Sequence, residues 1–500
     1  MGGADARIVR NTTLTILALV ALRLVAAAYT PITFDEAYYW MWSKALAGGY
    51  YDHPPMVAYV IRAGTMIAGD TEFGVRLVSI LLALPMSYAI YRSAAILFGG
   101  ARIAATSAIL LNVTMLASVG TMIVTPDAPL LVASSFVLFF LAKVLETGRG
   151  AWWLAVGVAI GAALLSKYTA MFFGLAILIW LACVPKLRRW FLSPWPYLGG
   201  IVAFAIFSPV VLWNADHHWV SFIKQMGRAR IEDFRPVFIA ELIPTQIAFA
   251  TPLVFILGAM GLHALTWRRI GASASRVLVE TMFWTIVVYF VWHSLHARVE
   301  ANWFAPVYPA FVVAAAVAAH IAQWAPRQQR LVSFCLRWAA PAGIVMFAAL
   351  VVQANTGVLS GYRRDATVRS VGVGWRALAD EIEAVRARTG ATCVLAMDYG
   401  TTAWLAFYLP RGTCVVQQSQ RIRWINMSEP DPKLLGGKVL LVDELRTDGH
   451  PALNDIFWQV SRVAELTRKR GPLVVETYGI DLLEGAKRDV LDRSPPPEAQ

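Results

Sequence analysis

Three carboxylates and a histidine lie between positions 35 and 53, close to the start of a strongly apolar chain. Asp35 and Glu36 are followed by a run of aromatic residues, and Asp52 and His53 stand directly before two prolines. Ionisable groups are costly inside or beside a bilayer, so this cluster indicates a functional site. The alternative is a solvated loop whose aromatic side chains anchor it at the membrane surface.

Asp35 and Glu36 are of the residue type that performs acid–base chemistry. On a helix, two neighbouring side chains point about 100° apart and do not share one proton. One carboxylate can then take a proton from a reacting hydroxyl while the other orients that hydroxyl or a nearby cation. Partial dehydration raises the pKa of a carboxyl, which suits a general base. We expect no required cofactor. A site for a divalent metal ion, formed by both acids with Asp52 and His53, is an open alternative, although the spacing of these residues matches no specific metal site.

The composition is typical of a membrane protein. Of 500 residues, 58% are hydrophobic and 15% are charged, whereas soluble domains carry about 25% charged residues. We predict an all-α polytopic protein of the inner membrane with about eleven spans, each long enough to cross a bilayer. The spans lie near 12–29, 75–98, 101–119, 128–146, 152–166, 168–184, 197–213, 243–266, 279–293, 304–323 and 332–354. The formal charge of +12 is explained by basic cytoplasmic loops among membrane lipids, and no basic-aromatic motif indicates nucleic acid.

The loops between the spans separate by charge. One set, which includes the N-terminus, carries clustered Lys and Arg, as at 186–189 and 268–269, and by the positive-inside rule it faces the cytoplasm. We interpret the first span as an uncleaved helix rather than a signal peptide, with Arg23 facing the bundle interior beside an acid. The other loops lie outside the cytoplasm and contain these candidate residues: Asp35, Glu36, Asp52, His53, Asp127, Lys167, Arg228, Arg298 and Asn302.

Several of these residues also have a structural interpretation. Lys167 is a lone cation between two apolar spans, where it needs a partner. Asp127 either belongs to a site or caps a helix with Pro129 in its first turn. Arg228 and Arg298 are suited to bidentate capture of a phosphate or carboxylate, and contact with lipid headgroups or ion pairing is the alternative.

An odd number of spans places the C-terminal region outside the cytoplasm as well. We assign 1–355 to a transmembrane domain whose first extracytoplasmic loop is 30–74, then 360–490 to a small periplasmic α/β domain and 491–500 to a disordered tail. Residues 375–388 have the apolar spacing of an amphipathic helix, and 393–397 and 438–442 are typical of buried strands. A disulfide between Cys393 and Cys414 is a hypothesis that this location permits.

The ordered set of motifs resembles a known family. The runs Asp-Glu-Ala-Tyr-Tyr-Trp at 35–40, Gly-Tyr-Tyr-Asp-His-Pro-Pro at 49–55 and Gly-Val-Arg-Leu at 74–77 are similar to the first extracytoplasmic loop of the family 39/83 glycosyltransferases. Further blocks at 125–129, 166–170, 208–214 and 302–306 resemble the bacterial branch. The family includes protein O-mannosyltransferases, aminoarabinose transferases acting on lipid A, and Rhizobium-type galacturonosyltransferases. The resemblance covers residues 12–320 and continues weakly into the C-terminal domain.

The resemblance implies a GT-C fold and an enzyme that moves a sugar from a polyprenyl-phosphate donor, with inversion at the anomeric carbon. The acceptor would be an extracytoplasmic hydroxyl of lipid A, lipopolysaccharide core or another envelope glycan. Asp35 and Glu36 would be catalytic, with Asp35 as the general base. The remaining polar residues of the matched segments would bind donor phosphate or substrate: Asp52, His53, Arg76, Asp127, Lys167, Arg228, Arg298 and Asn302.

One position departs from the family pattern. Aminoarabinose transferases have Glu-Lys-Pro where this chain has Asp52-His53-Pro54. A neutral histidine binds phosphate more weakly than a lysine, so we expect Lys167 or an arginine of the 224–235 loop to bind it and the sugar to differ from aminoarabinose.

Two other classes of function stay open on the sequence. A transporter or flippase for an anionic lipid would need polar groups near the membrane midplane and on both faces. A binding subunit would leave the first loop unexplained. The identities of the sugar and the acceptor do not follow from the sequence.

Overall fold

A computed structural model describes residues 3–228, 233–358, 365–445 and 451–494. The α-helices of these residues, in chain order, are α1 Gly3–Tyr29, α2 Phe34–Trp42, α3 Met56–Ala68, α4 Glu72–Leu81, α5 Ala83–Phe98, α6 Ala101–Val113, α7 Met115–Gly120, α8 Asp127–Thr147, α9 Trp152–Ser166, α10 Phe172–Cys183, α11 Pro194–Asp216, α12 Val220–Arg228, α13 Val237–Ala250, α14 Pro252–Thr266, α15 Ser273–His293, α16 Tyr308–His320, α17 Pro326–Thr356, α18 Ala366–Ser370, α19 Trp375–Thr389, α20 Tyr399–Tyr408 and α21 Pro432–Gly436. Short 3₁₀ helices are Tyr168–Met171, Pro185–Leu192, Ala301–Val307, Arg421–Trp424 and Pro451–Asp455.

The N-terminal two thirds of the chain form a helical bundle with the length and hydropathy of a membrane domain. Among the described residues, seven helices are long and apolar enough to cross a membrane, or up to nine if each of two bent helix pairs forms one span. Three shorter apolar helices, α3, α6 and α9, accompany them. The polytopic helical architecture is confirmed, and the count of eleven spans stays a prediction.

Small residues allow these helices to approach closely. A side chain at Gly157 of α9 would meet the backbone of Gly199 on α11, and one at Gly261 of α14 would meet the backbone of Ala314 on α16. Packing between small residues is the usual way in which helices associate in lipid. Apolar side chains gain little free energy by moving from the lipid tails into a helix interface, because both environments are apolar.

The interior of the bundle contains a buried arginine, as predicted, but with a different partner. Arg23 of α1 is almost fully buried. Its guanidinium donates to the backbone oxygen of Asn112, 2.5 Å away, and to the hydroxyl of Thr121. The predicted acidic partner is therefore wrong, because a helix-end carbonyl and a hydroxyl satisfy the guanidinium.

A five-stranded sheet forms the core of the C-terminal region. The strands are β1 Cys393–Ala396, β2 Cys414–Gln417, β3 Lys438–Glu444, β4 Phe457–Arg470 and β5 Leu473–Ala486, in the order β2-β1-β3-β5-β4. The first three strands are parallel, and β5 pairs antiparallel with β3 and β4. The predicted helix and both predicted strands are present as α19, β1 and β3, which confirms the small α/β domain. The predicted disordered tail of 491–500 begins too early, because Leu491 is buried and the backbone nitrogen of Asp492 donates to the carbonyl of Gln418; residues 495–500 lie outside the described residues.

A disulfide joins Cys393 to Cys414, which confirms the hypothesis drawn from the sequence. The two cysteines are register partners at the first positions of β1 and β2. The bond thus fixes the edge strand β2 to its neighbour β1.

The C-terminal domain rests on the segment between α1 and α4. The backbone nitrogen of Gly372 and the indole nitrogen of Trp404 both donate to the carbonyl oxygen of Ile32. Asn426 donates to the carbonyl of Gly49 and accepts from the indole of Trp213. These contacts hold the domain against the loop that carries the acidic cluster.

Candidate active site

Helix α2 gives the two neighbouring acids different surroundings. Thr33 precedes the helix and forms a capping box with Glu36: its hydroxyl accepts from the Glu36 nitrogen, and the Glu36 carboxylate accepts from the Thr33 nitrogen. Such reciprocal bonds satisfy two free donors of a helix start. Asp35, in the first turn of the helix, faces the C-terminal domain instead. The predicted divergence of the two side chains is present.

Glu36 forms a fully buried ion pair with Arg76 of α4. The guanidinium donates to both carboxylate oxygens, at 2.7 and 2.6 Å, and to the carbonyls of Thr30 and Pro31. The backbone nitrogen of Val124 donates to the same carboxylate. Because both side chains are surrounded by protein, the pair fixes the start of α2 and thereby the position of the neighbouring Asp35.

Asp35 has the environment of a general base. Its Oδ1 accepts a hydrogen bond of 3.0 Å from the hydroxyl of Tyr399. Burial raises the pKa of Asp35 to about 6, and the nearby carboxylates of Asp52 and Glu36 act in the same direction, whereas the Tyr399 hydrogen bond and Arg423 oppose the rise. A carboxylate with a pKa near the working pH can both accept and release a proton.

Asp52 binds three partners from three parts of the chain. It accepts from the hydroxyl of Tyr38 at 2.7 Å, from Nζ of Lys224 at 2.6 Å and from Nη1 of Arg423 at 2.9 Å. Although burial opposes it, the two cations hold the pKa of Asp52 well below its usual value. The side chain is therefore a permanent carboxylate that links the first loop, α12 and the C-terminal domain.

His53 is a neutral imidazole beside this cluster. Burial lowers the pKa of His53 to about 3, and the nearby charge of Lys167 lowers it further. The Nδ1 atom is buried and has no hydrogen-bond partner among the described residues. The His53 ring lies 6.4 Å from the ring of Tyr39, on the same helix as Asp35. The predicted neutral state of this histidine agrees with its surroundings.

Lys167 has the partner that its buried position requires. Its Nζ donates to Oδ1 of Asp127 at 2.7 Å, and Nδ2 of Asn302 donates to Oδ2 of the same carboxylate at 2.6 Å. Asp127 is the first residue of α8, while Pro126 occupies the capping position, and no side-chain capping bond is present there. The capping alternative for Asp127 is therefore wrong, and the carboxylate orients the lysine.

An apolar cavity of about 430 Å³ opens beside His53, Lys167 and Arg228. Its walls carry aromatic side chains, among them Phe172 and Trp303. Its lining thus combines basic side chains with a mostly apolar surface. A second cavity of about 390 Å³, between α13, α14, α15 and α16, is lined by none of the predicted site residues.

Arg298 stands apart from this arrangement. Its side chain is 70% exposed and faces Glu241 across 3.5 Å. The structure thus brings together nine of the ten predicted residues in two linked groups, and Arg298 lies outside both. The nine are Asp35, Glu36, Asp52, His53, Arg76, Asp127, Lys167, Arg228 and Asn302.

Four site residues are not among the ten predicted ones: Tyr38, Lys224, Tyr399 and Arg423. Tyr38 looked like one of many aromatic residues in its run, and Arg423 is 371 positions from the carboxylate that it binds. Tyr399 belongs to a segment of weak family resemblance, which is the only signal that could have found it. Chain-distant contacts of this kind leave no local pattern.

Two of the three carboxylates of the cluster are already bound to protein cations, and the third, Asp35, accepts from the Tyr399 hydroxyl. Glu36 is held by Arg76, and Asp52 by Lys224 and Arg423. In the described part of the chain, no group of three or more His, Cys, Asp or Glu side chains is arranged to hold a metal ion.

The fold agrees with that of known structures. The helical bundle, with a small sheet domain packed on its first loop, has the GT-C fold, in agreement with the prediction. The structure superimposes on ArnT from Cupriavidus metallidurans in the apo state with a TM-score of 0.66 and 17% identity, covering 94% of this chain and 97% of that one. The undecaprenyl phosphate complex of ArnT gives a TM-score of 0.65 and 19% identity over the same shares.

Sequence comparison agrees with the structural likeness. Residues 52–213 match the family model described as dolichyl-phosphate-mannose-protein mannosyltransferase. The chain is 23% identical over 325 residues to the lipid A galacturonosyltransferase RgtD of Rhizobium johnstonii. That alignment covers 61% of this chain and 65% of RgtD, just under two thirds of the relative's length. The resemblance found from the motifs is confirmed.

Proposed function

We propose that this chain is a membrane glycosyltransferase that moves a sugar from a polyprenyl-phosphate donor to a hydroxyl of lipid A or another envelope glycan. The observation that carries the proposal is Asp35, a partly buried carboxylate with a raised pKa. It lies on α2, the helix whose Tyr39 packs near His53, and His53 lines the apolar cavity together with Lys167 and Arg228. The likeness to RgtD and to ArnT with undecaprenyl phosphate supports the same chemistry.

The reaction is a single displacement. The acceptor hydroxyl loses its proton to Asp35 while its oxygen forms a bond to the anomeric carbon of the sugar. The bond between that carbon and the phosphate oxygen breaks, and the polyprenyl phosphate leaves with the electron pair. Attack from the face opposite the leaving group inverts the anomeric configuration.

The leaving phosphate gains negative charge in this step and needs stabilisation. Preorganised cations in a site of low dielectric constant supply it. Lys167 and Arg228 stand at the cavity beside the uncharged His53, and in this proposal they perform the role that a divalent metal could also perform. Asp127 and Asn302 hold the Lys167 ammonium in place.

The cavity suits the first part of a prenyl chain. Its walls are mostly aromatic and aliphatic, and apolar surface of this kind stabilises a hydrocarbon by about 25 cal/mol per Å² buried. We propose that the site faces the periplasm, with the N-terminus in the cytoplasm, because along the sequence the basic loops alternate with the loops that carry the candidate residues. The sugar differs from aminoarabinose in this proposal, since His53 stands where those transferases have lysine.

A reconstituted system tests the function. Purified protein in proteoliposomes receives a radiolabelled polyprenyl-phosphate sugar and lipid A. Label recovered in lipid A, and absent with Asp35→Asn, supports the proposal. Label that crosses the bilayer without covalent transfer would instead identify a transporter.

A further inference from the structure

One side chain of the C-terminal domain, Tyr399, donates a hydrogen bond to the proposed base Asp35. Tyr399 is the first residue of α20, immediately after Asp398, whose carboxylate caps the helix by accepting from the nitrogen of Thr401. Strand β1 ends at Ala396, so only two residues separate the sheet from Tyr399. The position of the hydroxyl is thus set by a central strand of the sheet.

Helix α20 is held firmly on α2. The ring of Phe34 packs edge-on against Tyr399 at 5.9 Å and against Trp404 at 5.7 Å. The indole of Trp404 donates to the carbonyl of Ile32, next to the start of α2. These contacts join the two helices and set the geometry of the contact between Tyr399 and Asp35.

A second strand end reaches the same place. Strand β2, tied to β1 by the disulfide, is followed by the short helix that carries Arg423. The Arg423 guanidinium lies 4.8 Å from the centre of the Tyr399 ring and donates to both oxygens of Asp52. Groups at the carboxyl ends of neighbouring parallel strands commonly form the ligand site of an α/β sheet.

We infer that Tyr399 is a positioning residue of the proposed transfer: its hydroxyl binds Oδ1 of Asp35 and leaves Oδ2 for the acceptor hydroxyl, so that the C-terminal domain completes the active site. The inference rests on the proposed function. Among the described residues, the Tyr399 hydroxyl is the one side-chain donor that binds Asp35. A hydrogen bond at one oxygen fixes the plane of the carboxylate and directs the other oxygen.

The same bond affects the acidity of the base. Asp35 faces Tyr399 from α20, Arg423 from the segment after β2, Asp52 from the first loop and Glu36 from its own helix. The Tyr399 hydrogen bond favours the ionised carboxylate. Its loss therefore raises the pKa of Asp35 and moves the acid limb of the rate profile to higher pH.

Tyr399→Phe tests the inference, since it keeps the aromatic packing and removes only the hydroxyl. Tyr408→Phe is the matched control: it lies on the same helix, and its hydroxyl donates to Glu72, away from Asp35. For Tyr399→Phe we expect the acid limb of kcat/KM to shift upward by about one pH unit, which lowers kcat/KM about fivefold at pH 6 and little at pH 9. The control variant keeps the wild-type profile.

A stability measurement tests the same contact without relying on transfer. The Tyr399→Phe change raises the pKa of Asp35 in the folded state, so ionisation of Asp35 costs more free energy there. As the pH rises from 5 to 8, Tyr399→Phe should therefore lose thermal stability relative to Tyr408→Phe. In the Asp35→Asn background that pH dependence should vanish. A uniform loss of rate without a pH shift, or a stability difference independent of Asp35, would overturn the inference. Absence of transfer by the wild type, with the stability result intact, would overturn the proposed function alone.

Discussion

Replacing Asp35 with asparagine should stabilise the folded protein while it removes the proposed activity. The pKa of Asp35 is raised from 3.8 to about 6 by burial. A difference of about two units corresponds to about 3 kcal/mol, at ~1.4 kcal/mol per unit. This free energy opposes folding once the side chain must ionise, and asparagine never ionises. Its amide oxygen can still accept the hydrogen bond from Tyr399.

The sign of the pH dependence follows from the direction of the shift. Below about pH 4 the carboxyl is protonated in both the folded and the unfolded state, so wild type and Asp35→Asn differ little. Between about pH 4 and pH 6 the unfolded state releases its proton and the folded state keeps it, and wild-type stability falls. Above about pH 6 the full difference of about 3 kcal/mol remains.

Thermal unfolding in detergent from pH 4.5 to pH 8 measures this difference. With an entropy of unfolding of ~2 cal/mol/K per residue, 3 kcal/mol corresponds to roughly 3 °C in Tm for a chain of this length. We expect Asp35→Asn to be more stable than wild type at pH 8 and to approach it at pH 4.5. Tm values for the two proteins that run parallel across this range would refute the assignment of a raised pKa to Asp35.

Three further predictions concern the surrounding charges. Glu36→Gln and Arg76→Gln should each destabilise the fold by about 3–5 kcal/mol, because each leaves an unpaired buried charge. The double variant should lose less free energy of unfolding than the sum of the two single losses. Thermal unfolding of all three variants measures these differences. Lys167→Met should lower kcat at least about 100-fold through loss of phosphate stabilisation. Asp127→Asn keeps the lysine and removes only the charge that holds it, so it should lower kcat by a smaller factor in the same transfer assay. Arg298→Ala should leave transfer within about twofold of wild type, because exposed ion pairs contribute about 0–1 kcal/mol; a loss as large as that of Lys167→Met would place Arg298 in the site after all.

Much of the membrane domain could be predicted from the sequence because its signals are local. Long apolar runs identify spans, and the alternation of basic and polar loops grouped the candidate residues at one end of the bundle. Lys167 illustrates the strength of this reasoning: a buried cation requires a carboxylate, and Asp127 supplies it. The divergence of Asp35 and Glu36 also followed from helix geometry alone.

The contribution of the C-terminal domain could not be predicted in the same way. Tyr399 and Arg423 reach the first loop across more than 360 residues, and no periodicity records such contacts. The hairpin of β4 and β5 was also missed, because β4 carries several charged residues and lies at the sheet edge, where strands often lack an alternating apolar pattern. The capping interpretation of Asp127 failed for the opposite reason: the local signal was present, but a tertiary ion pair took the carboxylate.

The most direct test of the account is a transfer assay with purified wild type and Asp35→Asn, using radiolabelled polyprenyl-phosphate sugar and lipid A at pH 8. The account predicts transfer by the wild type and none by a variant that is at least as stable and still binds the donor lipid. Near-normal transfer by Asp35→Asn would contradict the assignment of Asp35 as the general base.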